Sequence, residues 1–444
     1  MSSIGAVLHS WGFSVEYAWL YGLAKTEKSK PRDAVSLNFP ARHLLFCLCC
    51  QLAGCTSAEP VVTPPAPLAV YTQEALRATI ASGKPTPLDA LTPYGKREVI
   101  RQLRWNENGL AGFSSTPLIR ELGHGQLAAV LSFLGASAYL PMLEKKLVGP
   151  PLRLSAPSSQ TELDLQRLRQ FADAEATRRA AAAASVTATG IGAPAVLRRY
   201  QQLFGNRLNP ATLSNEPSGN LVALFDAASL AANDNPASAA VDDMLRLHYE
   251  LTARGVDTRR TLDDAMLYAL LAARRFANAR AFAALRPDLA QMAIPQVVDS
   301  LGPAFTGRSA FAYDAKHNTL TRVAMPSRSG TELVMVVGAG CHHSANALQA
   351  LQADPELQRR LRQVHLVLVT APNAPIETRL ISEWNAANPS MPIHAPYSAA
   401  QWKGIDATGV PSFHLLRNGK IVDQLTGWSD NGKADLLKLI DAAK

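Results

Sequence analysis

The chain has 444 residues, which is too long for one ordinary domain, and its 47% hydrophobic content supplies material for roughly two or three buried cores. Its 44 Lys and Arg residues against 36 Asp and Glu residues give a net charge of +8, without a basic run that is interleaved with aromatic residues. This pattern argues against a nucleic-acid groove and favours a diffusely positive surface.

Four of the five cysteines lie close together near the start of the chain, at Cys47, Cys49, Cys50 and Cys55. The basic pair Arg42-His43 precedes a short apolar run, and small residues precede Cys55, which is the layout of an export signal. The tetrad at 52–55, Leu-Ala-Gly-Cys, resembles the lipobox of bacterial lipoproteins. The resemblance implies that Cys55 becomes the first residue of the mature chain and carries acyl chains such as palmitate. A cysteine-rich metal knuckle is the alternative, but a second ligand cluster at a usual zinc spacing is missing.

The predicted signal would anchor the protein, because about ten apolar residues are too short to span a bilayer. Thr56, which follows the lipobox cysteine, implies by the same resemblance an outer-membrane protein that faces the periplasm. About forty residues precede the signal, so initiation nearer Val35 or Leu37 is an alternative. We assign 1–55 to an upstream extension and lipoprotein signal, and 56–70 to a proline-rich tether.

Two helical regions are predicted next, a helical domain at 71–150 and a second helical region at 151–300. In the first, Thr92-Pro93 and Thr116-Pro117 each predict a capped helix start. In the second, the apolar spacing before Gly255 predicts an amphipathic helix, and the segment that begins at Thr261 predicts a capping box and another helix. A fixed repeat is not recognisable, which favours compact helical packing over a solenoid.

The pattern changes from helical to extended beyond 303 and predicts an α/β domain over 305–444. A hairpin is predicted around 314–318, followed by buried strands at 333–337 and 364–369. A helix around 376–385, strands at 409–416 and 421–425 joined by Asn418-Gly419, and a terminal helix complete the order. The predicted fold class is therefore α+β overall, with largely helical regions followed by a domain with a central mixed sheet.

The α/β segment resembles the thioredoxin superfamily, from about 311 to the end of the chain. The resemblance rests on the loop Cys341-His342-His343-Ser344 between a strand and a helix, on the Val-Pro-Ser-Phe segment at 410–413, and on the hairpin that leads to Gly427-Trp428. It implies that Pro411 is a cis-proline facing the cysteine loop. It also implies that the backbone of Val410 is offered to an extended substrate.

The cysteine loop departs from the family's Cys-x-x-Cys pair, because Ser344 stands where the resolving cysteine would be. Cys341 can still attack a disulfide and be released by a second thiol, and a helix N-terminus with His342 and His343 beside it would favour the thiolate. The alternatives are a redox-inactive binding module and a copper or zinc site that would recruit His394 or His414. Adjacent histidines at a helix start are expected to point apart, which disfavours the metal site.

Other polar residues are predicted to have structural roles, among them His124 in a turn, His248 within a helix, and the pairs Asp242-Asp243 and Asp263-Asp264 at helix starts. Trp384 and Trp428 are expected to pack in the α/β domain. A nucleotide-binding or metalloprotease motif is absent from the sequence, and we expect no cofactor. The expected partners are the membrane, through the lipid anchor, and exported proteins or small thiols.

Overall fold

The computed structural model describes residues 70–183, 195–405 and 409–442. The predicted lipoprotein signal and nearly all of the predicted tether lie outside this range. Within the described residues, no helix combines the length and the apolar character needed to cross a bilayer.

The first helical unit packs around its own apolar core, which is drawn from residues 70–147. Its elements are α1 (Gln73–Ala81), α2 (Pro93–Gln102), β1 (Arg104–Asn106), β2 (Gly109–Gly112), α3 (Thr116–Glu121), α4 (His124–Phe133) and α5 (Leu140–Glu144). Thr92 caps α2 as predicted, since its side chain accepts a hydrogen bond from the Gly95 N–H. Helix α4 begins at His124, so the prediction of a turn there was wrong.

The second helical unit is built around a long alanine-rich helix, α9, whose buried small side chains let its neighbours pack closely. Its helices are α6 (Ser159–Ala183), α7 (Ala195–Phe204), α8 (Pro210–Leu213), α9 (Ser218–Asp234), α10 (Ala240–Ala253), α11 (Leu262–Ala272) and α12 (Phe276–Ala284). The capping box predicted at Thr261 is wrong: this residue has φ +68°, and its hydroxyl accepts from Arg120 instead.

A mixed sheet of eight strands dominates the rest of the described chain, in the order β10-β9-β6-β7-β8-β4-β5-β3. The strands are β3 (Gln296–Val298), β4 (Ser309–Asp314), β5 (Thr319–Ala324), β6 (Thr331–Val337), β7 (His365–Thr370), β8 (Ile393–Pro396), β9 (Ser412–Arg417) and β10 (Lys420–Thr426). The helices are α13 (His342–Ala353), α14 (Pro355–Leu361), α15 (Thr378–Ala387) and α16 (Gly432–Asp441). Strands β6, β7 and β8 are parallel, and β9 runs antiparallel to β6.

This arrangement is a thioredoxin-like fold, extended at the β8 edge by β4, β5 and β3. One face of β6 carries Leu333, Met335 and Val337, which join the core formed with α13, α15, α16 and the second helical unit. The other face packs its valines against Trp402 and Ile405. The chain is therefore α+β, and one continuous apolar core links the second helical unit to the sheet.

Candidate functional site

Cys341 lies where a buried strand gives way to a helix. Strand β6 ends at Val337, three small residues follow, and Cys341 is the N-terminal cap residue of α13. Gly340 adopts φ +70°, a backbone conformation that glycine accepts readily, and this allows the sharp turn into the helix. The cysteine is partly exposed and lies beyond the carboxyl end of β6.

The thiol of Cys341 contacts the segment that leads into β9. Its Sγ donates a hydrogen bond to the carbonyl oxygen of Val410, at 3.2 Å, and the Val410–Pro411 peptide bond is cis. Gly338 allows this close approach, because a Cβ on it would lie 2.8 Å from Cγ2 of Val410. Cys341 and Val410, which are 69 positions apart in the chain, thus meet at one surface.

Ser344 lies one turn into α13 and has only 1% of its surface exposed. Its hydroxyl oxygen accepts a hydrogen bond from the Gly338 N–H, at 3.3 Å, so the side chain ties the start of the helix back to the cysteine loop. A hydroxyl cannot close a disulfide with Cys341. Ser344 therefore has a structural contact in place of redox chemistry.

The two histidines of the loop lie side by side. Their ring centroids are 3.8 Å apart, so the expectation that they would point in different directions was wrong. His343 Nδ1 donates to the carbonyl oxygen of Trp428, at 2.9 Å, and His342 remains exposed. This contact assigns the proton of neutral His343 to Nδ1 and joins the cysteine helix to the segment after β10.

Glu377 belongs to this site, although no sequence pattern indicated it. It precedes α15, has 8% of its surface exposed, and accepts a hydrogen bond from the Ala339 N–H in the cysteine loop. Burial raises the pKa of the Glu377 carboxyl to about 7, against the opposing effect of that hydrogen bond. An acid in the first turn of a predicted helix looks like an ordinary helix-dipole residue, which conceals its contact with the cysteine loop.

The histidines suggested as metal ligands do not converge. His394 lies on β8 and His414 on β9, with β6 and β7 between them in the sheet, and His414 contacts Ser412. Among the residues that the structure describes, no group of three or more His, Cys, Asp or Glu side chains is placed to hold a metal ion.

His248 is buried in the second helical unit, where its Nε2 lies 2.6 Å from Asp263.

Both tryptophans expected in the α/β domain pack against its core. Trp384 also donates its indole N–H to the carbonyl oxygen of Met391, and Trp428 lies 5.9 Å from the ring of Phe413. The second contact supports the segment whose carbonyl receives His343. The packing role therefore extends to the edge of the candidate site.

Comparison with known proteins gives weak similarity. No protein-family model matches the chain, and no curated protein matches it. A solved thioredoxin-like protein from Bacteroides caccae is 12% identical, over 58% of this chain and 99% of its own, with a TM-score of 0.22. The C-terminal domain of an uncharacterized protein from Bacteroides fragilis is 14% identical, over 34% of this chain and 94% of its own, with a TM-score of 0.21. The fold assignment rests on the strand order and connections described above.

Proposed function

We propose that this protein is a lipid-anchored envelope protein whose thioredoxin-like domain performs monothiol disulfide exchange through Cys341. The observation that supports the proposal is the contact between the Cys341 thiol and the Val410 backbone, beside a buried Ser344 in the position of a resolving residue. A partly exposed thiol beside the Val410 backbone can hold an extended disulfide-bearing segment while a sulfur of that segment is attacked.

The reaction has two balanced steps. The Cys341 thiolate attacks one sulfur of a substrate disulfide, forms a mixed disulfide and expels the other sulfur as a thiolate, which takes up a proton. A second thiol, from glutathione or a partner cysteine, then attacks the substrate sulfur of the mixed disulfide and expels Cys341 as the thiolate. Ser344 cannot perform this second attack, so release of the product depends on the external thiol.

The proposed location follows from the sequence features around Cys55. Acyl chains on this cysteine would hold the protein at the outer membrane, and the proline-rich stretch would keep the folded units away from the membrane surface. The predicted partners in the periplasm are exported proteins with disulfides, or small thiols. Labelling cells with a radioactive fatty acid tests the anchor: the label should be lost on Cys55→Ala, and an unlabelled wild-type protein would contradict it.

Mixed-disulfide trapping tests the thiol chemistry. The protein without its signal is incubated with an oxidised small thiol and with a disulfide-bearing peptide, quenched with acid, and analysed by intact mass spectrometry. We expect an adduct on Cys341 that a second thiol removes, and no adduct on the matched variant Cys341→Ser. Absence of an adduct on the wild-type protein would overturn the exchange mechanism.

A redox-inactive binding module is the second candidate. The buried hydroxyl of Ser344, bonded to Gly338, favours it, because the fold has replaced a redox position with a structural contact. This alternative predicts that Cys341→Ser leaves partner binding unchanged and that Ser344→Cys gives no gain in exchange. A gain of intraloop disulfide cycling in Ser344→Cys would instead show that the site is built for thiol chemistry.

A further inference from the structure

Arg274 occupies a backbone conformation that arginine does not favour. It lies two residues beyond the end of α11 with φ +59°, and its N–H bonds to the carbonyl of Leu271, while the N–H of Arg275 bonds to that of Leu270. Helices commonly end with glycine in this left-handed position, and other residues pay about 1 kcal/mol there. Strain of this kind persists only where the surrounding contacts hold the residue in place.

The side chain of Arg274 crosses from the second helical unit to the sheet domain. Nη1 donates to the carbonyl oxygen of Ala374 at 2.6 Å, and Nη2 donates to those of Pro372 and Pro396 at 3.4 and 3.3 Å. Burial lowers the pKa of the guanidinium to about 10, which still leaves it charged at neutral pH. Its five donors and planar shape suit a cluster of carbonyl oxygens that a lysine could not bind in the same way.

Two of these carbonyls, those of Pro372 and Ala374, belong to the loop that leads to Glu377. The loop spans 371–376, has no regular secondary structure and contains two prolines, so few backbone hydrogen bonds of its own can hold it. Its last residue, Ile376, is buried in the shared core. The next residue is Glu377, whose carboxylate receives the Ala339 N–H two positions before Cys341.

We propose that Arg274 is a positioning residue for the thiol site: it holds the 371–376 loop, which keeps Glu377 buried against the cysteine loop. The second helical unit thereby sets the reactivity of Cys341. This inference rests on the proposed function for its biological meaning. Its physical content, the coupling of Arg274 to a thiol through Glu377, is independent of any disulfide substrate.

The coupling has a defined direction. Release of the loop admits water to Glu377, so the carboxyl ionises at lower pH than in the wild-type protein. A negative charge beside the cysteine loop opposes formation of the thiolate, and alkylation slows. Every variant compared keeps the other nearby ionisable side chains, so they do not contribute to the difference in rate. These side chains are His342 and His343 on α13, Tyr268 on α11 and Tyr313 on β4.

A double-mutant cycle tests the proposal in the protein without its signal. The rate of alkylation of Cys341 by iodoacetamide at pH 6.5 is measured for the wild type, Arg274→Gly, Glu377→Gln and the double variant. We expect Arg274→Gly to slow alkylation about threefold, and to have no effect once Glu377 is glutamine. Hydrogen exchange of the 338–345 segment should rise in Arg274→Gly, because a loosened and hydrated Glu377 accepts the Ala339 N–H for less of the time.

The controls separate positioning from general damage. Glycine suits the backbone at position 274, so the helix end remains intact, and Arg274→Asn provides a second variant that tolerates the same conformation. Arg275→Ala removes the neighbouring arginine, which pairs with Asp242 within the helical unit, and should leave alkylation unchanged. An equal slowing by Arg274→Gly in the Glu377→Gln background, or no slowing at all, would overturn the proposal. If disulfide trapping fails, the double-mutant cycle can still be interpreted, because iodoacetamide alkylates Cys341 without a disulfide partner.

Discussion

At the scale of single residues, Glu377 gives the thiol site a pH dependence. Its pKa rises from an ordinary value of 4.5 to about 7 on folding, because the carboxyl is buried. An acid whose pKa is raised on folding binds its proton more tightly in the folded state. The folded state therefore loses stability as pH rises from about 4.5 to about 7, and the loss is complete above that range.

We predict that Glu377→Gln removes this loss. The neutral amide oxygen can still accept the Ala339 N–H, so the variant should be more stable than the wild type at pH 8 by up to about 3 kcal/mol, with little difference near pH 4.5. Urea unfolding at the two pH values measures this difference. The matched control is Glu383→Gln in α15, the helix that Glu377 precedes; Glu383 is exposed, and its substitution should show no such change. Equal effects of the two variants would contradict the buried carboxyl.

Gly338 is the second residue on which the site geometry depends. A Cβ at this position would lie 2.8 Å from Cγ2 of Val410, a stiff β-branched side chain that has little freedom to move. We predict that Gly338→Ala destabilises the protein by about 1–3 kcal/mol and displaces Val410 from Cys341. Thermal unfolding measures the cost. The double variant Gly338→Ala/Val410→Ala should recover most of it, and an absence of recovery would place the strain elsewhere.

At the scale of elements, strands with a strong local signal could be predicted and weak ones could not. The continuous apolar run of β6 and the Asn418-Gly419 turn between β9 and β10 identify those strands in the sequence. Strands β1, β3 and β8 have three or four residues and no clear alternation, so pairing with neighbours decides their conformation. The sequence accordingly predicted the centre of the sheet and the hairpins β4-β5 and β9-β10, and missed β3 and β8.

The residues of the candidate site also divide into those that the sequence could predict and those that it could not. Cys341, Ser344 and Pro411 belong to short motifs with a fixed place in the fold, so the sequence alone named them as candidates. Glu377 and Arg274 act through contacts with residues 38 and 100 positions away in the chain. Local patterns carry no information about such pairs, and only the packing of the loop against two other elements reveals them.

The hairpin between β9 and β10 provides a prediction at this scale. Asn418 and Gly419 adopt φ +52° and +76°, and Asn418 also accepts from the Gly330 N–H, which ties the turn to the start of β6. We predict that Gly419→Ala lowers stability by about 1–2 kcal/mol, because alanine is strained at positive φ. Chemical denaturation measures this loss. Gly125→Ala in α4, where a Cβ meets open space, should instead be neutral or stabilising.

At the scale of the whole molecule, the first helical unit has its own core and meets the rest of the chain through arginines. Arg120 forms a bidentate ion pair with Asp226 of α9, at 2.9 and 3.0 Å, with both side chains mostly buried. Arg260, which belongs to the second helical unit, donates hydrogen bonds to the carbonyl oxygens of Ile119 and Gly149 in the first. Charged groups in a partly buried interface of this kind fix orientation, and loss of one partner leaves the other desolvated.

We predict that Arg120→Ala costs about 2–3 kcal/mol and loosens the first unit from the second, because Asp226 retains only a longer pairing with Arg169 at 3.9 Å. Limited proteolysis with cleavage sites mapped by mass spectrometry should show faster cutting in the 149–158 connection. The matched control is Arg104→Ala, which removes an ion pair to Asp173 between the same two units, with both partners more than half exposed. Because exposed pairs contribute little, Arg104→Ala should be cut at the wild-type rate. If the two variants were cut equally fast, burial of the Arg120 pair would not be what holds the units together.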